Sequence, residues 1–245
     1  MSDSCEWDAS VPKPVISMDL IRKFLARVHP FTTVGLEAQA TAFYRKTDGV
    51  IKYLALFPQV NKPETVFAKE YEGEDTPCEY HAFQKFETLD GNAENDGPSS
   101  EDEYSTTNFS HGCWIHTHPR WKAFMSPLDI FQMYQNQLMQ DCLFGMVLSP
   151  RQQGVKALCV RITREGFEEL ESLRMGYRGE SRQQFPSIRE YMVSHIQKSN
   201  TKFYYQIPFT LSPEPCTLVD FRRSEEISEP IKDFLAHGHA DWDWI

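Results

Sequence analysis

Two histidines separated by one residue, His116 and His118, open the run WIHTHPRWKAFMSPLD (114–129), which continues to Ser126 and Asp129. On a strand, residues two apart project from the same face, so the imidazoles of His116 and His118 can converge on one ion. Asp129 follows eleven residues after His118, and the loop between them must fold back for its carboxylate to join the pair. Two histidines and one carboxylate leave the fourth position of a tetrahedral zinc free, the arrangement of a catalytic site and not of a structural one. Zinc in such a site brings the pKa of a bound water towards about 7.

Each piece has an ordinary explanation. A histidine pair on a strand can be packing, and Ser-Pro-Leu-Asp is a good helix start, with the acid favoured by the helix dipole. Together they satisfy HxHPx6SxxD at every fixed position, a match expected by chance on the order of once in three million starting positions. The helix start survives as a co-explanation; the coincidence does not.

The elements that must position these residues are legible around them. SMDLIRKFLARV (17–28) reads as an amphipathic helix capped by Ser17, with Ile21, Phe24, Leu25 and Val28 on one face. Val34–Tyr44 and VIKYLALF (50–57), joined by a turn at Asp48-Gly49, read as antiparallel neighbours. GCWIHTHP is a short strand stopped by Pro119. SPLDIFQMYQNQLM (126–139) is a helix with Ser126 at the cap, Pro127 at the first position and a stripe of Leu128, Phe131, Tyr134 and Leu138. Strands at 142–150 and 155–162, a helix at 166–175 and a last strand at 217–221 follow, with 176–206 left ambiguous. Helices and strands alternate irregularly, so the fold class is α+β, an α/β sandwich around one sheet.

Composition narrows the function. The chain has 245 residues, 40% hydrophobic, with a net charge of −10. From Glu64 to Ser105 thirteen acids meet two lysines, a local balance of −11, so the acidity belongs to one segment. The Asp-, Glu-, Asn-, Gly- and Ser-rich stretch 87–105 reads as a mobile loop. No basic stripe recommends nucleic acid, and no apolar run approaches the roughly 20 residues of a membrane span. The start lacks a secretory pattern, and the six cysteines (5, 78, 113, 142, 159, 216) show no framework spacing. The expectation is a soluble intracellular protein.

The run 114–129 resembles the metal motif of the JAMM (MPN-plus) zinc metalloproteases, most closely the AMSH-type deubiquitinases. VIKYLALFPQ, FGMVLSP and CTLVDFR resemble further strands of that group, so the likeness covers about 17–223. It implies an MPN fold with a cytidine-deaminase-like sheet flanked by helices, over 15–223, with an acidic insertion at 60–110, a second at about 172–208, and a tail at 224–245. It implies zinc on His116, His118 and Asp129. It also implies Ser126 as a donor to the oxyanion, and a glutamate on the first strand as general base. Glu37, ahead of VIKYLALFPQ, best fits that glutamate; the carboxylates of 64–103 are the alternatives. The implied partners are ubiquitin or polyubiquitin chains, in an endosomal-sorting or other multi-protein complex, with a cytoplasmic or endosome-associated location.

Two departures qualify the likeness. The stretch Glu37–Tyr44 carries no glycine, where the family's first strand has several. Where AMSH-type enzymes hold a second, structural zinc, this chain has Phe131, Lys202, Gln206 and Pro208, with His195 the one candidate ligand nearby; that second ion is expected to be absent. Alternatives to a deubiquitinase are a scaffold subunit and a peptidase for another ubiquitin-like tag. His237, His239 and Asp241 in the tail are a weak second metal set. His81 and His111 read as surface or loop histidines, with His111 near the mouth of the site, and Arg120 and Trp121 as candidates to shape a groove, with packing an equal alternative for Trp121.

Overall fold

A computed structural model describes residues 13–47, 49–69, 76–89, 108–139, 144–151, 154–228 and 232. Among them a mixed sheet of nine strands carries helices on both faces. In sheet order the strands are β10 (Thr210–Ser212), β1 (Val15–Ser17), β3 (Val50–Leu56), β2 (Gln39–Arg45), β6 (Phe109–Thr117), β7 (Phe144–Arg151), β8 (Gly154–Ile162) and β9 (Tyr204–Gln206). The ninth, β11 (Thr217–Asp220), pairs with Tyr53–Leu56 of β3 beyond the point where β1 pairs with Val50 and Ile51. A separate hairpin joins β4 (Gln59–Asn61) to β5 (Val66–Ala68).

Helix α1 (Met18–Thr33) covers one face. The Ser17 hydroxyl caps it by accepting the Leu20 N–H at 3.2 Å. It buries Leu20, Phe24, Val28 and Phe31 against Ala38, Ala40 and Ala42, with Ile21 and Leu25 at the flank. The helix runs past the expected end at Val28 and through Pro30, because Phe31 extends the buried stripe one more turn. It stops in a Schellman turn: Leu36 N–H reaches Phe31 O at 2.9 Å, Gly35 N–H reaches Thr32 O at 3.1 Å, and Gly35 takes φ 79°. That turn delivers the chain to Glu37 at the head of β2.

The other face is covered by α3 (Pro127–Met139), α4 (Arg164–Gly176) and α6 (Ile188–Lys198), packed on Trp114, Val147, Val160 and Ile162. A short helix, α5 (Glu180–Gln184), links the last two. Gly145 lets α3 approach the sheet, since a Cβ there would stand 2.9 Å from Met133 Sδ. The buried side of α3 is Ile130, Phe131, Met133 and Tyr134; Leu138, expected in the stripe, is 40% exposed. The helix is thus rotated from the expected face, because α4 and α6 cover its flank as well as the sheet covering its base.

The acidic insertion holds more structure than its composition suggested. Besides the β4–β5 hairpin it forms α2 (Glu79–Leu89), whose Ala82, Phe83 and Phe86 pack on Phe43, Tyr53 and Phe109. His111 is there too, 2.7 Å from Glu79 Oε2 and against Phe43, so it does not line the mouth of the site. His81 lies on α2 with Nδ1 3.3 Å from Cys78 Sγ. Residues 90–107, Asp48 of the expected turn, Cys5, Cys142 and the tail residues His237, His239 and Asp241 lie outside the described residues. Cys113, Cys159 and Cys216 are buried free thiols, and Cys78 an exposed one. No helix among the described residues is long and apolar enough to cross a membrane.

Candidate metal centre

The C-terminal end of β6 sits between β2 and β7, antiparallel to the first and parallel to the second, with His116 opposite Gln39 and Val147. Cys113 and Ile115 face α1; Trp114 and His116 face the opposite way. Backbone bonds fix the strand's exit, with Thr117 N–H on Ala38 O at 2.9 Å and His118 N–H on Leu148 O at 2.8 Å. His118 continues the face begun by Trp114 and His116, and α3 brings Asp129 over both. The alternation read from the sequence places both imidazoles as expected.

The three side chains are buried and form a triangle of metal-binding groups, with one donor atom of each within 4.8 Å of the others. The two Nε2 atoms are 3.2 Å apart, His116 Nε2 is 3.3 Å from Asp129 Oδ1, and His118 Nε2 is 3.3 Å from Asp129 Oδ2. A tetrahedral ion with bonds of about 2.0–2.1 Å needs donor–donor edges of about 3.3–3.4 Å. The two nitrogens stand near that spacing and each meets a different oxygen of the Asp129 carboxylate at 3.3 Å, so the group is close to the size of such an ion. The orientation of His118 is fixed by its other nitrogen, with Nδ1 3.3 Å from Lys122 O. His116 is held by the Trp114 ring, stacked at 4.2 Å between centroids, while its Nδ1 is buried without a hydrogen bond.

The electrostatics suit a cation as well. Metal ligands must be deprotonated to bind. Burial lowers the His116 pKa, against the pull of Asp129, and so favours the neutral imidazole. Burial alone would raise Asp129, but the charge and hydrogen bonds of His116 and His118 hold its carboxyl well below the usual carboxylate range. The set offers two imidazole nitrogens and a carboxylate oxygen, and could hold a metal ion.

Ser126 and Glu37 stand beside this triangle. Ser126 caps α3: its Oγ accepts the Asp129 N–H at 3.2 Å, and its own N–H donates to Asp129 Oδ2 at 2.8 Å. The Ser126 O–H is left to donate elsewhere. Glu37 Oε1 lies 3.7 Å from His118 Nε2, too far for a direct hydrogen bond. Burial, then the charges of Asp129 and Glu64, push the Glu37 carboxyl up to about 9. Its backbone is pinned by the insertion hairpin, through Glu37 N–H to Lys62 O at 2.9 Å and Asn61 Nδ2 to Glu37 O at 2.6 Å. Ala38, Ala40 and Ala42 of the glycine-free stretch face α1, away from this site.

A cavity of about 420 Å³ opens over the site, lined by Glu37, His118 and Ser126 on one side and by Trp121, Phe124 and α6 on the other. Trp121 is 50% exposed, although its backbone is anchored by Ser149 Oγ donating to Trp121 O at 2.6 Å. His195 does not approach the triangle; its Nε2 is 2.7 Å from Glu169 Oε1, and Ser199 and Thr201 donate to the same carboxylate.

Sequence reasoning missed Asn61, Lys62 and the α6 residues that complete the site, and it reached Glu64 only as one of the alternative carboxylates. They come from segments with weak periodicity, and nothing in their spacing points to His116. No protein-family model matches the chain. No curated protein matches it at a significant level.

Proposed function

We propose that the protein is a zinc-dependent isopeptidase of the JAMM type, cleaving ubiquitin from the lysine side chains of conjugates or chains. The observation that carries the reading is the buried His116–His118–Asp129 group, with nitrogens 3.2 Å apart and each 3.3 Å from an oxygen of the carboxylate, next to the buried carboxyl of Glu37. The motif HxHPx6SxxD and the strands resembling AMSH-type enzymes add the substrate class, and with it the MPN-type fold, the ubiquitin partner and a cytoplasmic setting. Zinc is the ion of choice because two imidazoles and one carboxylate are a usual donor set for it in catalytic sites.

The residues divide the work by position. His116, His118 and Asp129 would hold the ion, and zinc bound there would supply a water of lowered pKa and a Lewis acid for the scissile carbonyl. Glu37 Oε1 takes a proton from the attacking water and returns it to the departing lysine amine. A carboxyl raised to about 9 by burial and neighbouring acids is a strong proton acceptor once ionised, and a divalent cation beside it favours the ionised form. Ser126 Oγ, fixed by the Asp129 N–H, turns its proton towards the carbonyl oxygen as negative charge grows there. The cavity wall formed by Trp121, Phe124 and α6 confines the peptide around the bond.

The test is metal analysis followed by a panel of linked diubiquitins and ubiquitin-like conjugates. The expected result is close to one zinc per chain and cleavage of at least one ubiquitin linkage, lost on chelation. Less than half a zinc per chain would leave a scaffold role. Zinc without ubiquitin cleavage, but with turnover of another conjugate, would move the substrate to a different tag.

A further inference from the structure

Arg189 occupies a position that helix physics disfavours. Ser187 caps α6, its Oγ accepting the Glu190 N–H at 3.2 Å, so Arg189 is the second residue of the helix. The N-terminal end of a helix dipole is positive, and a cation there is repelled. A salt bridge could offset that, yet its neighbours at three and four positions are Phe185, Pro186, Met192 and Val193. Among the described residues Arg189 has no hydrogen bond, ion pair or ring contact. It is exposed, and with Leu128 it lines both the cavity over the metal centre and a second one of about 220 Å³ behind Asp129.

The same surroundings are rich in acids. Glu37, Glu64 and Glu190 line the main cavity, and Asp129 the second. Arg189 is the one Lys or Arg among the residues lining the two cavities, and its guanidinium can grip a substrate carboxylate with two parallel hydrogen bonds that offset the repulsion of these acids.

We propose that Arg189 is a specificity-determining residue of this site, reading a carboxylate side chain on the substrate close to the scissile isopeptide bond. This rests on the isopeptidase reading. The carboxylate can stand beside the acceptor lysine or in the tail of the tag; the chemistry at Arg189 is the same.

Three labelled isopeptides separate these sources: one with glutamate beside the acceptor lysine, one with glutamate in the tag segment, one with glutamine at both places. Their binding to the zinc-loaded Glu37→Gln chain is read by fluorescence anisotropy, with and without Arg189→Gln or Arg189→Glu. One glutamate peptide is expected to bind about fivefold tighter than the glutamine peptide, the scale of a partly exposed ion pair. Arg189→Gln should erase the preference, and Arg189→Glu should transfer it to a peptide with lysine at that place. Neither variant should lower the melting temperature, because a cation is removed from the positive end of a helix. Equal binding of the three peptides, no measurable binding, or a preference that survives Arg189→Gln overturns the proposal. Selective binding without cleavage of any peptide by the wild-type zinc protein would overturn the isopeptidase reading and leave the role of Arg189 standing.

Discussion

Ser126 and Asp129 bind each other reciprocally: the Ser126 N–H donates to Asp129 Oδ2 at 2.8 Å while the Asp129 N–H donates to Ser126 Oγ at 3.2 Å. This is a capping box in which the acid also belongs to the donor triangle. Helix initiation and ligand orientation are therefore one device. The bond that starts α3 also aims the carboxylate at His116 and His118.

Replacing Ser126 with alanine should therefore do two separable things. Loss of the cap lowers stability by about 1 kcal/mol, and loss of the oxyanion donor lowers kcat by roughly 100- to 1000-fold. Ser126→Asp restores a cap acceptor but not the neutral donor. Urea unfolding should show it recovering most of the stability, while turnover stays low. Recovery of turnover with the aspartate would contradict the donor role.

The triangle predicts that zinc stabilises the folded chain. At free zinc a hundredfold above its dissociation constant the gain is about 2.7 kcal/mol, visible as a rise in melting temperature that a chelator reverses. His116→Ala and Asp129→Ala should lose this rise. A melting temperature indifferent to zinc in the wild-type protein would remove the basis for the metal site.

Glu37 gives a pH dependence with a definite sign. Its folded-state pKa of about 9 lies above the ordinary 4.5, so between those values the metal-free folded protein binds more protons than the unfolded chain. Stability then falls as pH rises through that window. Glu37→Gln removes the penalty and should make the chelated protein more stable than wild type at pH 8, by about 1–3 kcal/mol. The difference should close as pH approaches 4.5, and turnover should be lost at every pH. Superimposable chelated unfolding curves at pH 8 would falsify the raised pKa.

Gly35 controls the entry to Glu37. With φ at 79°, alanine there adopts a strained conformation, and Gly35→Ala should cost about 1 kcal/mol. Because the Schellman turn aims the chain at Glu37, kcat should fall more than zinc affinity. An equal loss of both would place the effect on the whole fold instead.

Local chemistry made much of this protein legible from its sequence. Ser17 and the apolar spacing of Ile21, Phe24, Leu25 and Val28 write α1, although its most buried residues are Leu20, Phe24, Val28 and Phe31. The run through His116 writes a strand that ends at Pro119, and Ser126-Pro127 writes the start of α3. These signals depend on neighbours three or four residues away, and so does the two-residue spacing that puts both imidazoles on one face.

Other features depend on chain segments far apart, and no periodicity encodes them. The hairpin of the acidic insertion grips Glu37 through Asn61 and Lys62, 24 residues on in the first case. The aromatic faces of α2 disappear in an average dominated by acids, although Phe83 and Phe86 have a pocket waiting at Phe43. His111 found Glu79 instead of the site mouth, because a bulge between Ala42 and Phe43 shifts the β2–β6 register there. The sequence by itself determined which atoms could form the donor triangle. Only the tertiary structure decided how closely they approach, the burial of Glu37 and the placement of Arg189 on the wall of the same cavity, since each requires surfaces from separate elements to meet.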